Sequence, residues 1–379
     1  LKFMVVGLTA YGMATFEGPL LSLKNVNGIA HFTDWIVAHV HVGALGWNGF
    51  LTFAILYWLI PRMYNTPIFS KRLMNIHFWL GTLGILFYAV PMYISGFTQG
   101  MMWKQFTPEG TLQYGNFLEV ALRLIPMHQM RAIGGAIYLI GAILMAYNLF
   151  KTMAAGTLTA NEPAEAPALT KAYVPTGGDT YWHRWFERKP IPLLVGSLVV
   201  ILIGSLVELV PTFMVESNVP TILAVQPYTA LEVEGRDLYI REGCVGCHTQ
   251  MVRPFRSETE RYGEYSKAGE FVYDHPFQWG SKRTGPDLHR IGGKYSDEWQ
   301  RLHLIAPRDL VPESIMPAYP WLEKAPANHK TIQAHMTALR RVGVPYTDAQ
   351  IAAAPDEVKG KTELDALVAY LQGLGLALK

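Results

Sequence analysis

Only twelve charged side chains serve the first 150 residues of this 379-residue chain, whereas 50 are spread over the remaining 229. A water-soluble fold needs far more polar surface than the first part offers, so a single soluble globular domain is excluded and residues 1–150 read as a membrane region. Backbone N–H and C=O groups find no water in hydrocarbon, and an apolar run of about 20 residues therefore crosses it as a helix. Five runs qualify. The first extends from about Phe3 to Leu23 and is broken only by Glu17; the second lies between Asp34 and Arg62; the third lies between Arg72 and Lys104. The fourth ends at Phe150, and the fifth, from about Ile191 to Met214 with Glu208 inside it, stands beyond a polar linker at 151–189. The formal charge of +2 supplies no strong field for a nucleic-acid partner. The sequence opens at Leu1 inside an apolar run, with no cleavable signal pattern, which predicts further chain upstream.

Lys and Arg collect in short loops that stay on the cytoplasmic side. Loop two-three holds Arg62, Lys71 and Arg72 with no acid, whereas loop one-two sets Lys24 against Asp34 and loop three-four balances Lys104, Arg123 and Arg131 with Glu109 and Glu119. Counting crossings from there puts the 151–189 linker in the cytoplasm and everything after the fifth span outside. The linker contains Asn161-Glu-Pro-Ala-Glu-Ala-Pro-Ala168, which has little to pack and predicts a flexible joint between two units. The expected organisation is a four-span bundle at 1–150, the linker at 151–189, a single anchor at 190–215 and a soluble α-helical domain at 226–379 that ends in a helix from Thr362 to Leu371.

Both cysteines fall in the string Cys244-Val-Gly-Cys247-His248. Two thiols one helical turn apart can add to two vinyl groups while the adjacent imidazole reaches iron, so C-x-x-C-H reads as a c-type haem attachment. A redox dithiol is the competing reading, although no thioredoxin-like strand and helix pattern surrounds the string. Covalent attachment takes place outside the cytoplasm, in agreement with the charge-based topology. A second axial ligand is expected from one of three later methionines. Met251 is too near in sequence to cross to the opposite haem face and Met336 lies in a polar helical stretch, whereas Met316 sits on the proline-stiffened loop Pro312-Glu-Ser-Ile-Met316-Pro-Ala-Tyr-Pro320. A methionine that merely fills the core is the alternative.

Span two contains Trp35-Ile-Val-Ala-His39-Val-His41-Val-Gly-Ala-Leu-Gly46. Helical residues i and i+2 lie about 200° apart, so the two imidazoles face opposite sides of one helix and can serve two different metal centres. Polar pairs inside a span are functional by default, with haem iron a natural partner; two histidines hydrogen-bonded between helices are the bland reading. Glu17, mid-span, needs a proton or a partner, and a bond to a ligand imidazole would supply the latter. His31, His77 and His128 sit near span ends, where an amphipathic ring suits the interface, and are read as non-ligands.

These residues carry a resemblance. Tyr11-Gly-Met-Ala-Thr-Phe-Glu17-Gly-Pro19 and His31-Phe-Thr-Asp-Trp-Ile-Val-Ala-His39-Val-His41-Val-Gly-Ala-Leu-Gly-Trp47 resemble the C-terminal part of the catalytic subunit of cbb3-type cytochrome c oxidases. Cys244 to Arg256, Asp274 to Asp287 and Pro312 to Trp321 resemble that enzyme's membrane-anchored mono-haem subunit, with a class I-like cytochrome c domain. The resemblance implies that His39 binds the high-spin haem b of the oxygen site, that His41 binds the low-spin haem b, and that Glu17 lies beside the high-spin ligand. Cys244, Cys247, His248 and Met316 correspond to the haem c ligands. It implies a terminal oxidase in the bacterial inner membrane, with its cytochrome domain in the periplasm. Such an enzyme takes electrons from cytochrome c or another haem c subunit and passes them through haem c and low-spin haem b to O2, forming water with proton pumping. The copper ligands and the remaining contacts to both haems b would belong to an absent N-terminal part, so the fragment alone is not expected to be active; calcium is a further candidate ion. The join at 151–189 looks like a gene fusion. The rivals are a nitric oxide reductase, which would need carboxylates around a non-haem iron, and a non-catalytic tethered cytochrome c with structural His39 and His41.

Overall fold

The computed structural model describes residues 1–159, 182–215 and 220–378. The structure is helical throughout the described residues, with no strand longer than an isolated bridge. At the N-terminal end α1 (Lys2–Ser22) and the short α2 (Lys24–Ala30) lead to α3 (Asp34–His41), which is capped by the Thr33 side chain accepting from Trp35 N–H. The helix does not stop at His41. It widens into a π-helical segment, Val42–Gly49, and continues as α4 (Phe50–Met63), so that residues 34–63 form one apolar rod of 30 residues. The Tyr138 hydroxyl donates to Leu45 O at 3.0 Å inside the π segment, which gives that carbonyl a partner besides the helix's own N–H groups.

Two long helices complete the bundle, α5 (Lys71–Trp103) with its Ser70 cap and α6 (Phe117–Ala154) with its Asn116 cap. They pack closely because glycines face each other's backbone. A Cβ on Gly84 would lie 2.7 Å from Tyr138 N, and one on Gly134 would lie 2.6 Å from Tyr88 N, the small-residue packing that membrane helices use in place of a hydrophobic driving force. At 38 residues, α6 is about 57 Å long, nearly twice the hydrocarbon thickness, and its first turns extend beyond the bilayer.

Among the described residues, four helices are long and apolar enough to cross a membrane: 34–63, 71–103, 117–154 and 190–214. The first expected span exists as α1, but Lys2, Glu17 and three glycines make it less apolar than the others. The chain is a multi-pass, all-helical membrane protein. Residues 160–181 of the expected linker lie outside the described residues. The short α7 (Trp182–Glu187) and α8 (Pro190–Met214) belong to a separate unit, Ala160–Ile222, in which α8 has no buried residue.

The C-terminal region starts with α9 (Ala230–Arg241), followed by α10 (Arg256–Tyr262), α11 (Asp297–Ile305), α12 (Pro307–Leu310), α13 (Ile332–Arg341), α14 (Asp348–Val358) and α15 (Glu363–Gly373). Capping boxes fix the starts of α9, through Thr229 and Glu232, and of α15, through Thr362 and Asp365. These two helices cross, with Tyr239 and Tyr370 both sealed in the core and their ring centroids 5.6 Å apart.

The expected flexible joint at 161–168 falls outside the described residues, while Leu1–Thr159 and Leu223–Lys379 form one compact unit. The reason lies in a few polar contacts. Phe32, at φ 69°, pairs with Lys282 in a parallel bridge; Arg283 N–H donates to Phe32 O at 2.8 Å, and Gln99 Nε2 donates to Arg283 O at 3.0 Å. The Arg283 guanidinium, 1% exposed, lies 4.5 Å from the Phe32 ring centroid and pairs with Glu258 and Asp287.

Candidate functional site

Gly243, at φ 74°, ends α9 in the left-handed conformation, and a single 3-10 turn, Cys244–Gly246, follows. This turn presents Cys244, Cys247 and His248 to a cavity of about 460 Å³, whose far lining includes Met316. The C-x-x-C-H string and a methionine 72 residues beyond Cys244 thus meet in one space, of a size that holds an organic cofactor. His248 Nδ1–H donates to Pro286 O at 2.8 Å, so its Nε2 lone pair is left for a metal. Burial pushes the His248 pKa down, which keeps the ring neutral. A Cβ at Gly285 would fall 2.7 Å from His248 Nε2, so only glycine lets the imidazole stand there.

Burial, reinforced by Glu242, pushes the Cys244 thiol up to about 12. Thiol–disulfide exchange calls for a depressed thiol pKa, so the environment disfavours a redox dithiol. The donor set of two thiols, a neutral imidazole with Nε2 available and a thioether fits a covalently held haem. The wall toward the membrane region is made by Asn116, Phe117, Leu118 and Ala121, at the start of α6. Of the other methionines, Met336 is buried in the core at 2% exposure and Met251 packs beside Phe32 and Trp103.

In the membrane region the two histidines of α3 face different neighbours. His39 Nδ1 lies 3.2 Å from Glu17 Oε2 on α1, whereas His41 Nε2 accepts from the Tyr88 hydroxyl of α5 at 3.0 Å. Glu17 also accepts from Trp35 Nε1 at 2.5 Å and Tyr93 OH at 2.6 Å, so its carboxylate is a node of three donors. His41 Nδ1–H donates to Val37 O at 2.7 Å. All three imidazoles therefore tie Nδ1 to an oxygen and leave Nε2 for another partner, as metal-ligating histidines do. Tyr88 occupies that position at His41 and stacks on the ring at 4.5 Å; iron at Nε2 requires the hydroxyl to move aside.

Two further histidines of the membrane region have polar partners within it. His77 is fully buried among Phe3, Phe53 and Tyr57, with Nδ1 3.1 Å from the Tyr57 hydroxyl. His128 is not a free interfacial ring: its Nε2 lies 2.8 Å from Asp34 Oδ2, which also accepts from Ser95 Oγ at 2.7 Å. Sequence reasoning counted Asp34 as a loop charge, whereas it is 2% exposed and its N–H donates to Gln99. A carboxylate at the start of an apolar run, with Ser95 and Gln99 on the next span, was the available signal. Tyr88, Tyr93, Gly285 and Pro286 left none, because their roles depend on packing between distant segments.

Comparison with known proteins divides the chain in two. Residues 1–137 match the family model described as cytochrome C and quinol oxidase polypeptide I, and residues 183–362 match the one described as cytochrome C oxidase, mono-heme subunit/FixO. The chain is 44% identical over 169 residues to cytochrome c oxidase subunit 1 of Rhodobacter capsulatus, covering 44% of this chain and 32% of that protein. It is 46% identical over 164 residues to the bacteroid subunit 1 homolog of Bradyrhizobium diazoefficiens, covering 43% and 30%. The cbb3-type subunit CcoN1 of Stutzerimonas stutzeri is 43% identical over 169 residues, covering 44% and 34%. The chain thus spans about a third of the length of these curated relatives.

Proposed function

We propose that this chain, similar over 1–137 to an oxidase polypeptide I and over 183–362 to a mono-haem oxidase subunit, joins part of a catalytic subunit to a mono-haem subunit of a cbb3-type haem–copper oxidase and serves a terminal oxidase. That enzyme accepts electrons from a c-type cytochrome or another haem c subunit and reduces O2 to water while pumping protons. The chain works with further helices of the catalytic subunit, which supply copper, its ligands and the rest of both haem b sites. It lies in a bacterial inner membrane, with residues 1–150 and the anchor at 190–215 in the bilayer, 151–189 in the cytoplasm and 226–379 in the periplasm.

Cys244 and Cys247 tether haem c, His248 and Met316 ligate its iron, His39 takes the high-spin haem b and His41 the low-spin one. Bound haem supplies reversible one-electron chemistry and, beside copper, the site of oxygen reduction. The protein's contribution is orientation. The Pro286 and Val37 carbonyls hold the rings of His248 and His41 in a single tautomer. Glu17 holds Nδ1–H of His39, increasing the electron density that Nε2 offers a metal, and Tyr93 and Trp35 hold Glu17. The observation that carries the reading is the cavity that gathers Cys244, Cys247, His248 and Met316.

Counting haems by type, in the protein purified with its upstream part restored, tests it. Haem c together with two haems b is the expected result. Haem c alone would reduce the chain to a tethered electron carrier and overturn the oxidase reading.

A further inference from the structure

Gln99, near the end of α5, is 3% exposed and ties together two segments that carry opposite ends of the proposed electron path. Its Oε1 accepts the backbone N–H of Asp34, the first residue of α3, at 2.9 Å, and its Nε2 donates to Arg283 O at 3.0 Å. One partner is a donor and the other an acceptor, so the amide can stand only one way round. Beside it, Arg283 N–H donates to Phe32 O at 2.8 Å. The guanidinium groups of Arg253, Arg256 and Arg261 also reach the membrane region, at Asn27, Gly110 and Tyr114, and none of these contacts is on α3.

Each side of this link leads to proposed iron ligands within a few residues. On the membrane side, His39 and His41 follow Asp34 by five and seven positions, a helical rise of about 7.5 and 10.5 Å. On the other side, Arg283 Nε donates to Thr249 Oγ1 at 2.7 Å, Gly285 N–H donates to Cys247 O at 2.9 Å, and Pro286 O accepts from His248 Nδ1–H at 2.8 Å. The run 283–286 therefore grips the start of α3 at one end and His248, with both its chain neighbours, at the other. A carboxamide suits the junction. It pairs a main-chain donor with a main-chain acceptor and adds no charge beside the buried Asp34.

In the proposed enzyme one electron passes from ferrous haem c to ferric low-spin haem b, and no bond or proton is exchanged. Tunnelling weakens steeply with separation, so the rate depends on how firmly the two ligand-bearing segments are held. We propose that Gln99 is a positioning residue for this transfer, fixing the start of α3, and with it His41, against the loop that holds His248. This rests on the haem assignments above.

The test uses the oxidase with its upstream part restored and its haems bound. A light flash releases CO from the partly reduced enzyme, and absorbance then follows electron redistribution between low-spin haem b and haem c; hydrogen–deuterium exchange reads the backbone. In Gln99→Met, haem content, spectra and reduction potentials are expected to stay as they are, while redistribution slows several-fold and the amides of 282–288 and 32–36 exchange faster. Ser95→Ala removes another partner of Asp34 but no bond to Arg283, and keeps the unaltered rate. A Gln99→Met oxidase with its haems bound and its rate unchanged overturns the proposal, as does a Ser95→Ala oxidase slowed equally, which would reduce the cluster to a cap for α3. If Gln99→Met does not assemble, the unaltered oxidase decides: slow exchange is expected at the amides of both Asp34 and Arg283, and rapid exchange at either overturns the link. Absence of haem b, or of any electron exchange between it and haem c in the unaltered oxidase, instead refutes the haem assignments.

Discussion

In the C-terminal region the four side chains proposed for one haem line a single cavity. In the membrane region His39 and His41 each offer one nitrogen to a different side of a helix, toward α1 and toward α5. The difference follows from how each cofactor would be held. Two thiols and an imidazole in five consecutive residues can capture a covalently attached group, and one stiff loop can bring the second ligand. A haem held only by coordination needs walls on both faces, and in a bilayer those walls are other helices. On the proposed reading the C-terminal site is nearly complete in this chain, whereas His39 and His41 would each supply half of a site.

The largest expected effects break this contrast directly. Cys244→Ser with Cys247→Ser removes covalent haem altogether, measured as loss of the c-type absorbance of the denatured, washed protein. Haem that stayed covalently bound would show that attachment does not depend on the string. With the upstream part restored, His41→Ala abolishes the low-spin b-type spectrum and leaves haem c intact. His39→Ala removes the high-spin signal and spares the low-spin one. An unchanged b-type spectrum in His41→Ala would mean that α3 is only structural.

What could be read in advance follows the same division. Local signals were sufficient for four of the five expected spans, because length and apolarity decide them, and for the helix after Thr362, whose cap is written in sequence as Thr362 and Asp365. The opposed directions of His39 and His41 follow from helix geometry, and their observed partners, Glu17 and Tyr88, lie on different helices. The π-helical segment at Val42–Gly49 carried no pattern; it depends on donors such as Tyr138, some 90 residues away. The docking of the two regions was also invisible. It is made largely by backbone oxygens, Phe32 O accepting from Arg283 N–H and Gly115 O from the Arg261 guanidinium, and a main-chain acceptor has no residue type. The partners of His77 and His128, Tyr57 and Asp34, were not legible, because sequence gives depth along a span but not the neighbours around it.

Arg283→Met tests whether the two regions hold each other. The guanidinium is the shared partner of Glu258 and Asp287 and stacks near Phe32. Removing it leaves buried carboxylates short of a counter-charge, for which a loss of about 3–5 kcal/mol is expected. Proteolysis should then release the C-terminal region from the bundle more readily, with haem c still attached. Equal protease resistance would show that the anchor helix alone keeps the regions together.

A smaller effect separates the regions by acid. His289 in the C-terminal region is 4% exposed and stacked on Phe271 at 4.7 Å. Burial pushes it down to about 4, against the opposing pull of Glu270. Between pH 6.5 and 4 the unfolded chain binds a proton at this ring that the folded chain does not. Stability contributed by the neutral ring is therefore complete above pH 6.5 and falls as pH drops toward 4, by up to about 3 kcal/mol. In His289→Gln this part of the acid loss disappears, so the thermal midpoint followed through haem c absorbance falls less between those pH values than it does in the unaltered chain. If both proteins lose stability in parallel, the acid sensitivity arises elsewhere, and the C-terminal region does not carry it through this residue.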